Sequence, residues 1–332
     1  MTFVMARYLR ALEWCRGLPK LPSMASLSHR QGWSLAVILT IFPCFLFAGS
    51  GSGGDNPQIT YHTGTSEVRV SFFATDQDGR LMGTLTKEDF AVVDSGVVIR
   101  EFRSLARSNE TALHVVALVD TSASVAPRFR ANMQHVLQLL DRETSNSSEV
   151  VSVVQFAGLQ PTLLCSRDCR SAGAQQKLAV TKAEGPTPLF DALTYTAEFV
   201  SRGRAPGVRQ VVILFSDGND TISRASATEA FDAILSSGAL LYTVNLDASR
   251  DVSPGSLVLQ QMADATGGRS FFARDGIANV LQAILADLRA AYVVSYALPT
   301  RQPGFHFLRI LPKHNLNLRF HCRRGYFYEE TR

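Results

Sequence analysis

The chain has 332 residues, of which 46% are hydrophobic and 19% charged, a balance that supplies a buried core and excludes a disordered or low-complexity polymer. That length holds one α/β domain of ordinary size with something smaller beside it. The formal net charge is +4, but residues 1–48 alone carry Arg7, Arg10, Arg16, Lys20 and Arg30 against Glu13, so the rest balances at 28 against 28 and gives no support to binding nucleic acid or an anionic membrane.

Residues 33–48, WSLAVILTIFPCFLFA, carry no charge, follow basic residues and precede the small-residue run Gly49-Ser50-Gly51-Ser52-Gly53-Gly54. This order predicts a secretory signal peptide cleaved near Ala48, and hence a periplasmic or secreted protein. The run is shorter than the ~20 residues that span a bilayer and contains Pro43, which favours cleavage; the alternative is an uncleaved segment anchoring the protein to the inner membrane. Membrane association is expected only through that segment. Met24 would open a leader of more usual length, so residues 1–23 read as a start-site artefact. Cys44 argues weakly for lipidation, because Ile41-Phe42-Pro43 before it lacks a small residue. Residues 49–56 form a Gly/Ser linker.

Residues 57–109 form an N-terminal β segment. Glu67 to Ala74 begins with period-2 alternation, Asp76-Gln77-Asp78-Gly79-Arg80 is a turn, and Asp89 to Val93 is a second strand followed by the turn Asp94-Ser95-Gly96. Asp76 and Asp78 are turn residues rather than a calcium loop, since no acidic ligand follows at the required spacing.

Residues 110–290 alternate strands and helices. Val115 to Val119 is a buried strand running into Asp120-Thr121-Ser122-Ala123-Ser124; Phe129 to Arg142 has helical spacing of Met133, Val136, Leu137 and Leu140; Glu149 to Phe156 is a strand. A polar excursion holds Cys165 and Cys169, read as a small-loop disulfide in an exported protein, with a metal pair as the lesser option and Cys322 left over as buried and free or intermolecular. The Gly/Pro loop of Gly185 to Pro188 leads into a helix over Phe190 to Val200, followed by a strand from Gln210 to Phe215 that ends in Ser216-Asp217-Gly218. Helices over Ala225 to Leu235, Leu257 to Ala265 and Ile277 to Arg289 alternate with strands over Leu240 to Val244 and Arg269 to Phe272. Such alternation predicts a doubly wound, mostly parallel sheet with helices on both faces.

The tail, residues 291–332, reverts to strands over Tyr292 to Leu298, Phe305 to Leu311 and Leu316 to Arg323. It is expected to pair with residues 57–109, making a β-sandwich-like accessory domain from both chain ends. His306, His314 and His321, with Arg319, Arg323 and Arg324, form either a basic binding face or a solvated strand face.

Asp120, Ser122, Ser124, Thr187 and Asp217 all fall on loops at the C-terminal ends of strands, where open α/β sheets bind ligands. Hydroxyls and carboxylates without sulfur or imidazole make a hard-oxygen set suited to Mg²⁺, Mn²⁺ or Ca²⁺ rather than Zn²⁺. Individually each residue reads as a helix cap or a turn residue. Asp191 stands in the first turn of its helix, either behind the metal ligands or favouring the helix dipole.

The pattern Asp120-x-Ser122-x-Ser124, then Thr187 before Leu189-x-Asp191-Ala192-Leu193, then Asp217-Gly218 after a strand, resembles the metal-ion-dependent adhesion site of von Willebrand factor type A domains. Thr75 to Arg80, Leu85 to Val92 and the closing Arg324-Gly325-Tyr326 are similar to segments flanking that domain in the exported acidobacterial family of such proteins. The resemblance implies that Ser122, Ser124 and Thr187 ligate the ion directly, that Asp120 and Asp217 act directly or through water, and that an Asp or Glu of a protein partner completes the coordination. It implies an adhesion or scaffold module, whose last helix is also expected to shift on ligand binding. The alternatives are a Mg²⁺-dependent hydrolase, although no nucleophile elbow or phosphate loop is present, and a metal-free scaffold of an envelope complex. His114 begins the strand that Asp120 ends and is expected at the opposite sheet edge.

Overall fold

The structure, a computed structural model, describes residues 67–107, 112–129, 133, 136–137, 149–167, 169, 171–205, 208–247 and 252–328. The leader and linker readings over residues 1–56 therefore lie outside the described residues, as does most of the helix expected over Phe129 to Arg142. Within that helix, Phe129, Met133, Val136 and Leu137 are helical.

A six-stranded sheet runs in the order β10-β9-β8-β5-β6-β7, built from β5 (Ala112–Asp120), β6 (Glu149–Phe156), β7 (Thr162–Ser166), β8 (Val208–Ser216), β9 (Leu240–Asn245) and β10 (Ser270–Phe272). All pairs are parallel except β6 with β7, which is antiparallel. The apolar run of β5 is buried on both faces, and its alternate residues serve two cores because successive side chains of a strand point opposite ways. Val115, Ala117 and Val119 pack under α5 (Ile277–Ala290) and α1 (Ala172–Val180). Val116 and Leu118 pack under α2 (Leu189–Arg202), α3 (Ala227–Ser237) and α4 (Pro254–Thr266).

Chain reversal from β7 to β8 places the strand after β5 on one side and β8 on the other, so the loops following β5 and β8 diverge over neighbouring strand ends. Such a divergence marks the strand ends at which open α/β sheets bind ligands. The doubly wound expectation is met, with β7 as its antiparallel edge. β7 and α1 had no clear periodic signal, since β7 is a short, half-buried edge strand.

The strands from the two chain ends form two further sheets, β13-β1-β11-β4 and β14-β12-β2-β3. Their members are β1 (Glu67–Thr75), β2 (Phe90–Asp94), β3 (Val97–Ile99), β4 (Ser104–Arg107), β11 (Tyr292–Ala297), β12 (Gly304–Pro312), β13 (Arg319–Cys322) and β14 (Gly325–Tyr328). β1 pairs with β11 and β13, and β2 with β12, all antiparallel. Phe72 and Phe90, 4.9 Å apart between ring centroids, join the two sheets in one apolar core with Val70, Val92, Val294 and Ile310. The final strand expected over Leu316 to Arg323 is confined to Arg319–Cys322, because Leu316 and Asn317 form a turn, and the chain then crosses to the other sheet, where β14 starts at Gly325. A Cβ there would stand 2.2 Å from the carbonyl oxygen of His306, so only glycine permits the crossing.

The accessory sheets are tied to the end of the central domain away from the loops after β5 and β8. Arg324 N–H donates to the carbonyl of Ala265 at 2.7 Å at the end of α4, and Arg269 stacks its guanidinium 5.8 Å from the Phe73 ring while pairing with buried Asp287 of α5.

Both readings of the tail histidines need correction. His306 is buried, and His321 stacks on Phe73 at 4.6 Å with Nε2 3.2 Å from Thr75 Oγ1. Burial, aided by Arg269 and Arg319, pushes the His321 imidazole down to about 4, so it is a neutral core residue at ordinary pH. Among the described residues only His314 of the three is exposed. Asp76 takes its turn role, its Oδ1 accepting from the N–H of Asp78 and of Arg80. Cys322 is free, packs against the accessory core and has its thiol pushed up to about 11 by burial.

Cys165 and Cys169 are bonded to each other, closing a very short loop beyond the edge strand β7. A loop that small restricts the unfolded chain by only about 2 kcal/mol. Replacing both by serine is therefore expected to lower the unfolding free energy in urea by about that amount or less while leaving the circular dichroism spectrum unchanged.

Candidate metal centre

Asp120 is fully buried at the end of β5. Its Oδ1 accepts from the Ser122 N–H at 2.9 Å and its Oδ2 from Ser216 Oγ at 2.7 Å. The Ser216 hydroxyl, also fully buried, accepts in turn from the Gly218 N–H at 3.1 Å. From the sequence alone Ser216 has no role of its own; its place one step before Asp217, at the end of a strand adjacent to β5, was the available signal.

After Asp120 the chain enters a 3-10 turn over Ala123–Arg128. Ser122 stands at its N-cap position without a side-chain cap bond, so its hydroxyl is free of the capping role and lies 2.9 Å from Ser124 Oγ. Ser122 is buried and Ser124 exposed, which sets one hydroxyl in the interior and the next at the surface.

The other loops are laced to this one through their backbones. Glu184 N–H donates to the Thr121 carbonyl at 2.8 Å and Ala123 N–H to the Gly185 carbonyl at 2.9 Å. Gly185 holds φ +84°, and a Cβ there would meet Gly158 N at 3.3 Å, so the loop carrying Thr187 requires glycine at this point. Thr187 is buried, and its own N–H and carbonyl bond Thr221 Oγ1 at 2.8 Å and Thr221 N–H at 2.9 Å. Its hydroxyl is left for other work. Gly218 takes φ +82° and a Cβ on it would fall 2.3 Å from the Gly255 carbonyl oxygen, so the Asp217-Gly218 turn sits directly against the start of α4.

Asp217, almost fully buried, accepts from the Asn219 N–H at 3.0 Å and lies close enough to Asp120 to repel its charge. Asp191 bonds no N–H of its own helix. Its carboxylate accepts from Arg224 N–H at 3.1 Å and Ala225 N–H at 2.8 Å, buttressing the loop after Asp217. The start of α2 is held instead by Asp220 and Ser223, whose oxygens accept from the Phe190 N–H.

The structure thus brings Asp120, Ser122 and Ser124 into direct succession, sets Asp217 beside them, and ties the loop of Thr187 to theirs. Burial pushes Asp120 up to about 6, with hydrogen bonds from Ser122 and Ser216 opposing and the Asp217 charge adding to the shift. The partners of this buried carboxylate are hydroxyl and N–H groups, and its charged neighbour is another carboxylate. Two acids and several hydroxyls are a poor zinc site, and among the described residues no group of three or more His, Cys, Asp or Glu side chains is placed to hold a metal. The donors fit a hard divalent cation such as Mg²⁺, Mn²⁺ or Ca²⁺.

His114 lies at the other end of β5, buried between Gln210 Oε1 at 2.8 Å and Ser152 Oγ at 2.9 Å. Burial lowers its pKa, so the imidazole stays neutral as a structural link between β8, β5 and β6.

The family profile described as von Willebrand factor type A domain matches residues 114–286, more than half of the 332 residues, and the chain belongs to that family. Domains of this family generally serve protein–protein interaction and adhesion and are mostly not enzymes. No curated protein sequence matches the chain. Similar solved structures include an aerotolerance-related membrane protein from Bacteroides fragilis, 18% identical over 53% of this chain and 98% of that one with a TM-score of 0.41. Another is proximal thread matrix protein 1 from the mussel byssus, 17% identical over 58% of this chain and 50% of that one with a TM-score of 0.45.

In metal-free protein the Asp120 carboxyl binds its proton more tightly when folded than when unfolded, because its folded value lies near 6 against an ordinary 3.8. The associated stability is fully present below about pH 4 and is lost as pH rises through 6. Unfolding in urea with a chelator present is expected to show wild type losing on the order of 3 kcal/mol relative to Asp120→Asn between pH 4 and 7, from about two pKa units. Parallel curves would return this carboxyl to its ordinary range.

Proposed function

We propose that the protein is an exported, metal-ion-dependent protein-binding module, in which Asp120, Ser122, Ser124, Thr187 and Asp217 hold a divalent cation, Mg²⁺ foremost with Mn²⁺ or Ca²⁺ as substitutes. The observation that carries this reading is the buried Asp120 carboxylate, fixed by Ser122 and Ser216 and facing a second acid with no cationic side chain among its hydrogen-bond partners. A cation at that point would offset both the desolvation of Asp120 and the repulsion from Asp217.

The ligand set is mainly neutral, so the ion keeps most of its charge and attracts a further anionic oxygen. The partner is accordingly a protein that presents an Asp or Glu side chain at the crevice. This chain's residues do the rest: Ser216 orients Asp120, Asp191 braces the loop after Asp217, and the Gly185 and Gly218 turns set the approach of the three loops. Ile222 and Leu159, both exposed, neighbour Thr221 and Gly158, whose backbones are bonded to the Thr187 loop.

Export, and the closer kinship with the exported acidobacterial family, rest on the leader over residues 33–48 and on the flanking accessory strands, which make the domain a unit inserted between chain ends. A disulfide between Cys165 and Cys169 suits an oxidising compartment. Among the described residues no helix is long and apolar enough to cross a membrane.

Calorimetric titration of the protein with Mg²⁺, Mn²⁺ and Ca²⁺ tests the reading. Saturable binding is expected in wild type, abolished in Asp120→Ala and weakened at least tenfold in Thr187→Ala. If no ion binds, with or without an added carboxylate such as acetate, the type A fold serves here as a metal-free scaffold.

A further inference from the structure

The interior of the accessory sandwich contains a cluster of titratable groups far from the metal ligands in sequence. Asp94, the last residue of β2, is fully buried. Its Oδ2 accepts from Tyr296 Oη of β11 at 2.9 Å and from Tyr326 Oη of β14 at 2.8 Å. Its Oδ1 has no hydrogen-bond donor and faces Nδ1 of His306, on β12, at 3.5 Å. The other ring nitrogen, Nε2, lies 2.8 Å from the carbonyl oxygen of Gln302.

A carbonyl oxygen can only accept, so Nε2 must carry a hydrogen, and a neutral imidazole is then left with a bare lone pair on Nδ1. Tyr326 Oη is 3.2 Å from Nδ1, but it has a single proton and makes its shorter contact, 2.8 Å, with Asp94. With Asp94 ionised and His306 neutral, two acceptors would face each other in the protein interior, and the single Tyr326 proton can serve Nδ1 only by leaving Asp94, so Oδ1 stays without a donor either way. One further proton removes the conflict, either on Nδ1 donating to Oδ1 or on Oδ1 donating to Nδ1.

We infer that Asp94 and His306 share one additional proton in the folded protein, and that this proton closes a latch between the two sheets of the accessory sandwich and the loop over residues 298–303. Asp94 and His306 belong to one sheet, and Tyr296, which bonds Asp94, belongs to the other. Gln302, held by His306, lines a cavity of about 460 Å³ together with His306 itself, Thr300, Pro303 and Ser95. The latch therefore places one side of that cavity.

The other titratable groups facing the pair do not compete for the proton near neutral pH. Tyr296 and Tyr326 are pushed further above their ordinary range by burial and by the Asp94 charge. Tyr328, whose ring is 5.9 Å from His306, is likewise a phenol, and Cys322 of β13, beside Tyr296, has its thiol pushed up to about 11.

Nuclear magnetic resonance of the full chain, labelled with ¹⁵N in histidine and ¹³C in aspartate carboxyls, reads the proton directly. At pH 7.5 the expected result is either an imidazolium at His306 or a protonated Asp94. Amide exchange at residues 300–302, corrected for intrinsic rates, is expected to quicken at least tenfold as that proton titrates, and to show no such step in His306→Gln. A neutral His306 protonated on Nε2 alone beside an ionised Asp94 at pH 7.5 would overturn the shared proton. Unaltered loop protection across the titration would overturn the latch.

Discussion

The arrangement at the top of the central sheet depends on the burial of one carboxylate. Asp120 closes β5, in the middle of the sheet, with no solvent exposure, and a charge in such a place is costly unless it is neutralised or paired. The chain surrounds it with small polar donors, the Ser122 N–H and the Ser216 hydroxyl, and then adds a second acid, Asp217. That combination raises the affinity of the cluster for positive charge, and the protein can meet it with a proton or with a cation. The loops are therefore arranged around a charge deficit, and the proposed function is the consequence of filling it with a metal that still has room for a partner's carboxylate.

Rigidity follows from how the three loops are cross-linked. The loop of Thr187 bonds the loop of Ser122 on one side and Thr221 on the other, and the glycines at 185 and 218 allow backbone approaches that a Cβ would block. Beneath them, β5 and β8 are paired along eight residues in register, so Asp120 and Ser216 end adjacent strands at neighbouring levels. The accessory sandwich is attached at the far end, through Arg324, Arg269 and α4, away from the loops after β5 and β8.

Much of this was legible because it is local. The apolar runs of β5 and β8, the hydroxyls two apart after Asp120, and the Gly/Pro loop before α2 each carry their signal within a few residues. What escaped reading is non-local. Ser216 matters because its strand pairs with β5, a contact across 96 residues. Asp94 looks like the first residue of a turn and is one, yet its side chain points into a core assembled from strands more than two hundred residues later. His306 and His321 alternate with apolar or charged neighbours as solvated residues do, and only the pairing of both chain ends reveals that their faces are covered. β7 and α1 lacked periodicity because edge elements bury too little surface to need it.

The central claim is that the deficit around Asp120 is filled by a divalent cation. A crystal of the protein grown with Mn²⁺, examined at an X-ray energy where manganese scatters anomalously, locates such an ion without reference to any partner. The account predicts one strong anomalous peak within about 2.2 Å, a hard-cation bond length, of the Ser122, Ser124 and Thr187 hydroxyl oxygens, absent from Asp120→Ala crystals. A fully occupied manganese elsewhere, with those hydroxyls bonded only to one another and to Asp120, would contradict it.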